Sequence, residues 1–260
     1  MSSSRPLALV TGGSSGIGFE LAKQFAQNGH DVIISGSSDK VKTSAQEIGA
    51  LGVECFAYQA DASTYDGVEA LWNYVMSLDR RLDAAALNVG IGQGGAFVDN
   101  PLEDDLKLIA INITGTVHMA KRVATHMLAN KKGRILITSS ISATQPTPHE
   151  TVYGPSKAFG FSFAESLREE LRGTGVTVTA LLPGATDSEF HKKAGMGSSK
   201  IGRSEKNDKT EVARQGFEAL MNDVDHVVGG DEATKQQAID NRTTPETVKA
   251  HNHAENARLH

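Results

Sequence analysis

Short apolar runs alternate along the chain with longer segments in which apolar residues recur at helical spacing. The runs are rich in β-branched and aliphatic residues, a composition typical of buried strands. They cover residues 7–11, 31–35, 53–58, 83–88, 134–140 and 176–182, and residues 223–230 form a candidate seventh strand at the sheet edge. The pattern therefore predicts six or seven strands separated by helices.

The helical segments lie between these strands in regular order, at residues 16–28, 40–51, 63–78, 102–131 and 156–172. Alternation of strand and helix implies right-handed crossovers between parallel strands, with helices on both faces of one sheet. We expect an α/β fold with a doubly wound parallel sheet of about seven strands. We expect this sheet and its helices to form a single domain over residues 1–230.

Two segments depart from the alternation. Residues 185–209 are rich in Gly, Ser and Lys and have no clear periodicity, so a mobile loop is predicted there. Residues 231–260 are polar and contain few large apolar side chains. We expect them to form a weakly packed polar tail with at most one short helix.

Composition excludes several function classes. The net charge is −5 with both signs scattered along the chain, which argues against a nucleic-acid-binding surface. No stretch is long and apolar enough for a signal peptide or a membrane span, so a cytoplasmic protein that does not bind membranes is expected. Cys55 is the single cysteine, and the tail histidines His251, His253 and His260 lack companion ligands. No disulfide and no metal site are therefore predicted.

A glycine-rich turn follows the first predicted strand, with the sequence Thr-Gly-Gly-Ser-Ser-Gly-Ile-Gly at residues 11–18. Glycines at a strand-to-helix junction let the backbone turn sharply and approach a ligand, and the helix N-terminus offers free N–H groups to a pyrophosphate. A structural turn is the alternative, but the position in an alternating chain favours a dinucleotide. The residues predicted to contact it are Gly12, Ser14, Ser15, Gly16, Ile17 and Gly18.

The end of the second strand distinguishes the two nicotinamide cofactors. An acidic residue there would bind the ribose 2′-hydroxyl of NAD, but this chain has Ser37 and Ser38 before the first carboxylate, Asp39. Because a 2′-phosphate would meet no repulsion, NADP is predicted, with NAD possible. An ordinary polar turn is the alternative explanation for these serines.

Tyr153 and Lys157 stand four residues apart, which places them on one face of a helix. A phenol has a pKa near 10, too high for efficient proton transfer at neutral pH. A lysine charge about 4 Å away in a poorly solvated cleft could lower that pKa by about two or three units. The pair is therefore predicted to donate and accept protons, although most such pairs are solvated helix faces.

Two serines end the fifth predicted strand, Ser139 and Ser140. Ligands of open α/β sheets bind at this carboxyl edge, where a hydroxyl could contact both a substrate carbonyl and the tyrosine oxygen. The sequence pattern leaves open which of the two serines has this role.

Together these motifs resemble the short-chain dehydrogenase/reductase family, in its compact single-domain branch with a Rossmann-like fold, over roughly residues 7–184. The resemblance selects Ser140, thirteen residues before Tyr153, as the catalytic serine and adds Asn112 as the residue that positions the lysine through a water. It also implies cofactor contacts beyond the glycine turn. These are Asp61, Ala62, Asn88, Gly90, Tyr153, Lys157, Pro183, Gly184 and Ser188, the last replacing a threonine.

The resemblance implies a mechanism as well. The cofactor would exchange a hydride with a small-molecule ketone, aldehyde or alcohol, Tyr153 would exchange the proton, and Ser140 would orient the carbonyl. Members of the family commonly assemble as homodimers or homotetramers through two long helices, here residues 102–131 and 156–172. Two alternatives remain: a non-catalytic dinucleotide-binding regulatory protein, and an epimerase or dehydratase on the same fold.

Overall fold

The computed structural model of the chain describes residues 5–258, and at its centre lies a parallel sheet of seven strands. The strands are β1 (Leu7–Thr11), β2 (Asp31–Gly36), β3 (Cys55–Gln59), β4 (Leu82–Leu87), β5 (Gly133–Thr138), β6 (Val176–Pro183) and β7 (His226–Gly229). Their order in the sheet is β3-β2-β1-β4-β5-β6-β7, with every neighbouring pair parallel. The doubly wound sheet predicted from the alternation is confirmed, including the edge strand β7.

The order of the strands reverses between β1 and β4. From β1 the chain proceeds outward to β2 and β3, and then returns to the other side of β1 at β4. Crossovers on the two sides of this point leave opposite faces of the sheet, so a crevice opens above the carboxyl ends of β1 and β4. The glycine turn that follows β1 lies at this crevice.

The helices form two layers, with α1 (Gly16–Gln27), α2 (Lys40–Gly49) and α9 (Lys209–Met221) on one face. The other face carries α3 (Tyr65–Ser77), α5 (Thr116–Ala129) and α6 (Tyr153–Glu170). Side chains of β1 alternate between the layers, because Ala8 and Val10 join the first core while Leu7 and Leu9 join the second. A strand buried on both faces explains why the predicted strands are continuous apolar runs.

The helix predicted at residues 102–131 is interrupted in the structure. It consists of α4 (Leu102–Ile109), one π-helical segment (Ala110–Gly115) and α5. A π segment inserts an extra residue into the turn and is frequent at functional sites. Asn112 lies within this segment.

The C-terminal tail differs from its prediction, because residues 231–257 contain two helices, α10 (Glu232–Asp240) and α11 (Glu246–Ala257). The segment 185–209 likewise contains two one-turn helices, α7 (Phe190–Lys193) and α8 (Lys200–Arg203). Met196 between them is fully buried and packs with Ala257 of α11. The expected loop and tail therefore pack against one another. Among residues 5–258, no helix has both the length and the apolar character that crossing a membrane requires.

Candidate active site

A large cleft of about 2170 Å³ opens at the carboxyl edge of the sheet, on the crevice between β1 and β4. All but one of the site residues predicted from the sequence line it. These are Gly12, Ser14, Ser15, Gly16, Ile17, Gly18, Ser37, Ser38, Asp61, Ala62, Asn88, Gly90, Ser140, Tyr153, Lys157, Pro183, Gly184 and Ser188. The exception is Asn112, which lies behind the cleft wall.

The glycine turn is packed so closely that two of its positions exclude a side chain. Gly12 has a φ of +67°, and a Cβ there would lie 3.0 Å from the Val89 Cα. A Cβ on Gly18 would clash with the carbonyl oxygen of Gly12 and with the Asn88 Nδ2. Ser15 is the N-cap residue of α1, but its side chain accepts no hydrogen bond from the helix. The first N–H groups of α1, at the cleft, are therefore not bonded to the Ser15 side chain. This arrangement fits a pyrophosphate.

The far end of the cleft, beyond β2, is lined by hydroxyls and one ammonium. Ser37 and Ser38 are both exposed there, and Lys40 lines the same wall. The carboxylate of Asp39 pairs with Lys42 at 2.8 Å. Lys40 was not among the predicted cofactor residues, although its position beside Asp39 was visible in the sequence.

Asp61 lies after β3, where its Oδ1 accepts hydrogen bonds from the Ser63 N–H at 2.9 Å and the Ser63 hydroxyl at 2.6 Å. These bonds hold the pKa of the Asp61 carboxyl below its usual value. Ser63 is thereby part of the turn into α3, and Asp61 keeps a second carboxylate oxygen for a ligand.

The structure distinguishes the two serines at the end of β5. The Ser139 hydroxyl donates to the carbonyl oxygen of Lys157 at 2.7 Å and is buried, so it joins the strand to α6. Ser140 begins a 3₁₀ turn (Ile141–Thr144), and its Oγ accepts from the Ser142 N–H at 3.1 Å. Ser140, not Ser139, lies beside the Tyr153 phenol.

Tyr153 is the first residue of α6, three residues earlier than the predicted helix start, and Lys157 follows it one helical turn later on the same face. Both are buried, and the Lys157 Nζ lies 5.8 Å from the centre of the Tyr153 ring. Its ammonium donates to the carbonyl oxygen of Thr138 at 3.1 Å. The two side chains are therefore neighbours without a direct hydrogen bond.

The expected lowering of the tyrosine pKa is wrong for this structure. Burial is the largest influence and raises the pKa of Tyr153, the charge of Glu150 raises it further, and only the hydrogen bond with Ser140 lowers it. Burial also lowers the pKa of Lys157 to about 8. Desolvation outweighs the lysine charge because that ammonium is directed to the Thr138 carbonyl rather than to the phenol oxygen.

Asn112 supports the cleft wall from behind. Its Oδ1 accepts from the Ile91 N–H at 2.9 Å, and its Nδ2 donates to the Ile91 carbonyl at 2.9 Å and the Ser156 hydroxyl at 3.0 Å. Gly90 lies between Asn112 and Lys157. A Cβ on this glycine would lie 2.9 Å from the Lys157 Nζ and 3.3 Å from the Asn112 Oδ1. The asparagine thus links the loop after β4 to α6.

Pro183 and Gly184 end β6 at the same edge, and Ser188 lies opposite the glycine turn, near Gly16. Thr186 between them is buried, and its hydroxyl donates to the Gly184 carbonyl at 2.8 Å. Ser188 is the more accessible of the two hydroxyls.

Several cleft residues were not predicted from the sequence. The Phe190 ring lies 5.2 Å from the Tyr153 ring, and Glu150 and His191 line the cleft beside them. His253 reaches the same region from α11. Glu150 is only three residues from Tyr153 and could have been noticed, whereas the sequence has no signal that brings His253 there.

Comparison with known proteins identifies the family to which the chain belongs. A family model described as short chain dehydrogenase matches residues 6–198. The oxidoreductase UcpA of Salmonella typhimurium is 35% identical over 178 residues, which are 68% of this chain and 68% of that protein.

Two solved structures share the fold over most of their length. A short-chain dehydrogenase from Sphingobium yanoikuyae in complex with NADPH has a TM-score of 0.82 at 27% identity, covering 91% of this chain and 93% of that one. An alcohol dehydrogenase from Comamonas testosteroni, specific for bulky-bulky ketones, has a TM-score of 0.78 at 25% identity, covering 92% of both chains.

Proposed function

The chain belongs to the short-chain dehydrogenase family and is an oxidoreductase, and from this premise we propose that it reduces a ketone or aldehyde with NADPH, or oxidises the corresponding alcohol. The observation that carries the proposal is the convergence of Ser140, Tyr153 and Lys157 in one cleft with the glycine turn. The neighbours bound to NADPH and acting on ketones support the same assignment.

The cleft fits the cofactor along its length. The glycine turn at Gly12–Gly18 would hold the pyrophosphate, and Asp61 would contact the adenine. Ser37, Ser38 and Lys40 would meet a 2′-phosphate, because they offer hydroxyls and a positive charge without a free carboxylate among them. When bound, NADPH supplies the hydride.

The proton comes from this chain's own residues. Burial raises the pKa of Tyr153, so at neutral pH the phenol holds the proton that it would donate to a carbonyl oxygen, although the same burial makes that proton harder to release. The Ser140 hydroxyl would orient that oxygen. Lys157 would stabilise the phenolate left behind, and Asn112 would hold the loop at Gly90 against the lysine.

The test replaces the phenol hydroxyl. Tyr153→Phe should lower kcat for carbonyl reduction by about 10²–10⁴-fold, the range typical of a lost general acid, while NADPH still binds. Turnover is measured by NADPH absorbance on a panel of diacetyl, benzil, cyclohexanone and benzaldehyde. Tyr58→Phe, which removes a hydroxyl from β3, serves as the matched control. Near-normal turnover of Tyr153→Phe would refute the proposed role.

A further inference from the structure

Three side chains of the kinds that bind metals meet at the edge of the sheet, away from the cleft. Glu165 lies on α6, Asp225 precedes β7, and His226 is the first residue of β7. Within residues 5–258 they form one group of three whose ligand atoms all lie within 4.8 Å of one another. None of the three lines the catalytic cleft. The single cysteine and the tail histidines, from which no metal site was predicted, take no part in this group.

The imidazole of His226 lies between the two carboxylates. Its Nδ1 is 3.1 Å from the Oδ2 of Asp225 and 3.5 Å from the Oε1 of Glu165. Zinc binds imidazole nitrogens and carboxylate oxygens at about 2.0–2.2 Å, so two ligands of one tetrahedral zinc ion are about 3.3–3.5 Å apart. The separations in the group are close to those of a zinc site.

Two of the three ligand atoms are buried without a bonding partner. Neither the Nδ1 of His226 nor the Oε1 of Glu165 makes a hydrogen bond, although both are shielded from solvent. Such atoms are uncommon in folded proteins because burying a polar atom without a partner is costly. A ring N–H bonds only to an oxygen along its own direction, whereas a metal ion at Nδ1 can contact oxygens that lie off that direction.

The third ligand is positioned by the backbone. The Oδ1 of Asp225 accepts from the His226 N–H at 2.7 Å, so the Oδ2 remains for a ligand. The His226 ring packs edge-on against the ring of Phe161, with the ring centres 5.3 Å apart. These contacts fix the carboxylate and the imidazole relative to each other.

Arg168 brings a positive charge close to the group, one turn beyond Glu165 on α6, but it is engaged elsewhere. Its guanidinium donates to the Asp223 carboxylate at 2.7 Å and to the carbonyl oxygen of Val178 at 2.7 Å. The arginine therefore does not supply the donor that the buried Glu165 oxygen lacks.

We propose that Glu165, Asp225 and His226 bind a zinc ion that links α6 to the edge strand β7. The two carboxylates bring negative charge together, and a divalent cation would cancel it. An imidazole ligand favours zinc over magnesium and calcium, which prefer oxygen ligands. Three protein ligands leave the fourth position of a tetrahedral ion to water. The inference does not depend on the proposed function, because the site is outside the cleft.

Calorimetric titration of the untagged, EDTA-treated full chain with ZnCl₂ tests the site. We expect saturable binding of one zinc ion per chain. The folded chain holds the three ligands together and the unfolded chain does not, so zinc should also stabilise the fold. At free zinc of about 100 times Kd, Tm should rise by about 5–10 °C. MgCl₂ and CaCl₂ at the same concentration should leave Tm nearly unchanged.

Glu165→Gln and His226→Ala each remove one ligand. Each should raise the Kd of zinc at least about tenfold, since even an outer-shell partner of a metal ligand contributes about 10–100-fold to affinity. The rise in Tm on adding zinc should shrink in parallel, while the circular dichroism spectrum stays that of the wild type. The matched control is His118→Ala, because His118 also contacts a carboxylate, that of Glu69, outside the cleft.

Weaker zinc binding in both ligand variants, with normal binding by His118→Ala, supports the proposal. If wild type binds no zinc saturably, the three side chains form an ion-pair cluster alone and the proposal is overturned. Binding that survives both variants, binding lost in His118→Ala, or an equal rise in Tm with magnesium also overturns it. Should His226→Ala fail to fold, Asp225→Asn takes its place, since the amide oxygen can still accept from the His226 N–H.

Discussion

Lys157 is a charged side chain in a buried position, with Thr138 as its hydrogen-bond acceptor. Burial lowers its pKa to about 8, well below the usual value of a lysine. At neutral pH the unfolded chain holds this charge in water, whereas the folded protein holds it in the core. The free energy of unfolding therefore includes a cost that depends on pH.

The sign of that dependence leads to a prediction for Lys157→Met. Below pH 8 the lysine is charged in both states and its full desolvation cost opposes folding. Between about pH 8 and 10.5 the folded protein binds fewer protons than the unfolded chain, so stability rises with pH. From pH 7 to 9.5 we expect wild type to gain about 2 kcal/mol relative to the variant. Urea unfolding at several pH values measures this, and the exposed Lys121→Met should show no such trend.

Lys40 should determine the choice of cofactor together with the serines beside it. It lines the cleft, whereas its neighbour Lys42 is engaged with Asp39. Lys40→Ala should raise the Kd of NADPH about five- to tenfold, the effect of one exposed charge, and leave the Kd of NADH nearly unchanged. Fluorescence titration measures both constants, and Lys121→Ala, which removes an exposed lysine outside the cleft, is the matched control. Equal weakening of the two cofactors would contradict the assignment.

Individual residues differed in how far the sequence predicted them. The four-residue spacing of Tyr153 and Lys157 indicated one helical face, and resemblance to the family selected Ser140. The direction of the tyrosine pKa could not be predicted, because it depends on burial and on where the lysine ammonium points. His253 could not be found either, since it meets Glu150 across 103 residues of sequence.

At the level of secondary structure, α11 shows why the tail was expected to be weakly packed. Its buried positions are Lys249, His253 and Ala257, at the four-residue spacing of one helix face. None of these is a large apolar side chain, so hydrophobic periodicity does not detect the helix. The central strands differ from α11 in this respect. They are buried on both faces, so their continuous apolar runs predicted them from the sequence.

The anchoring of α11 can be tested at Lys249. Its Nζ donates to the carbonyl oxygens of Thr144 and Asn241 and to the Glu246 carboxylate. Lys249→Ala should lower the free energy of unfolding by about 1–3 kcal/mol, because a buried and a partly buried carbonyl lose a charged donor. Lys235→Ala on α10, where the lysine is partly exposed and paired with Glu232, should change it by less than about 1 kcal/mol. Urea denaturation compares the two, and equal effects would contradict the anchoring role.

At the level of the whole molecule, α4 has an exposed apolar face that is a candidate contact surface for a second copy of the chain. Leu102, Leu106 and Ile109 are 65%, 54% and 37% exposed. We expect this face to be covered in a homodimer or homotetramer, as the family resemblance implies. A cytoplasmic location likewise stays a prediction.

Leu106→Lys tests the assembly. A charge in an apolar interface is costly, so the variant should shift the mass measured by sedimentation toward the monomer. Val248→Lys on α11, where the valine is 46% exposed, is the matched control and should leave the mass unchanged. A monomeric wild type would refute the expectation.

The packing of α11 against the segment between Ser140 and Tyr153 has a consequence for biosynthesis. His253 follows Tyr153 by 100 residues. At a synthesis rate of roughly 5–20 residues per second, the ribosome needs about 5–20 s to add them. During that interval the nascent chain already contains its glycine turn, serine and tyrosine, but lacks the helix that holds Glu150. We therefore expect full activity only after residue 257 has left the ribosome.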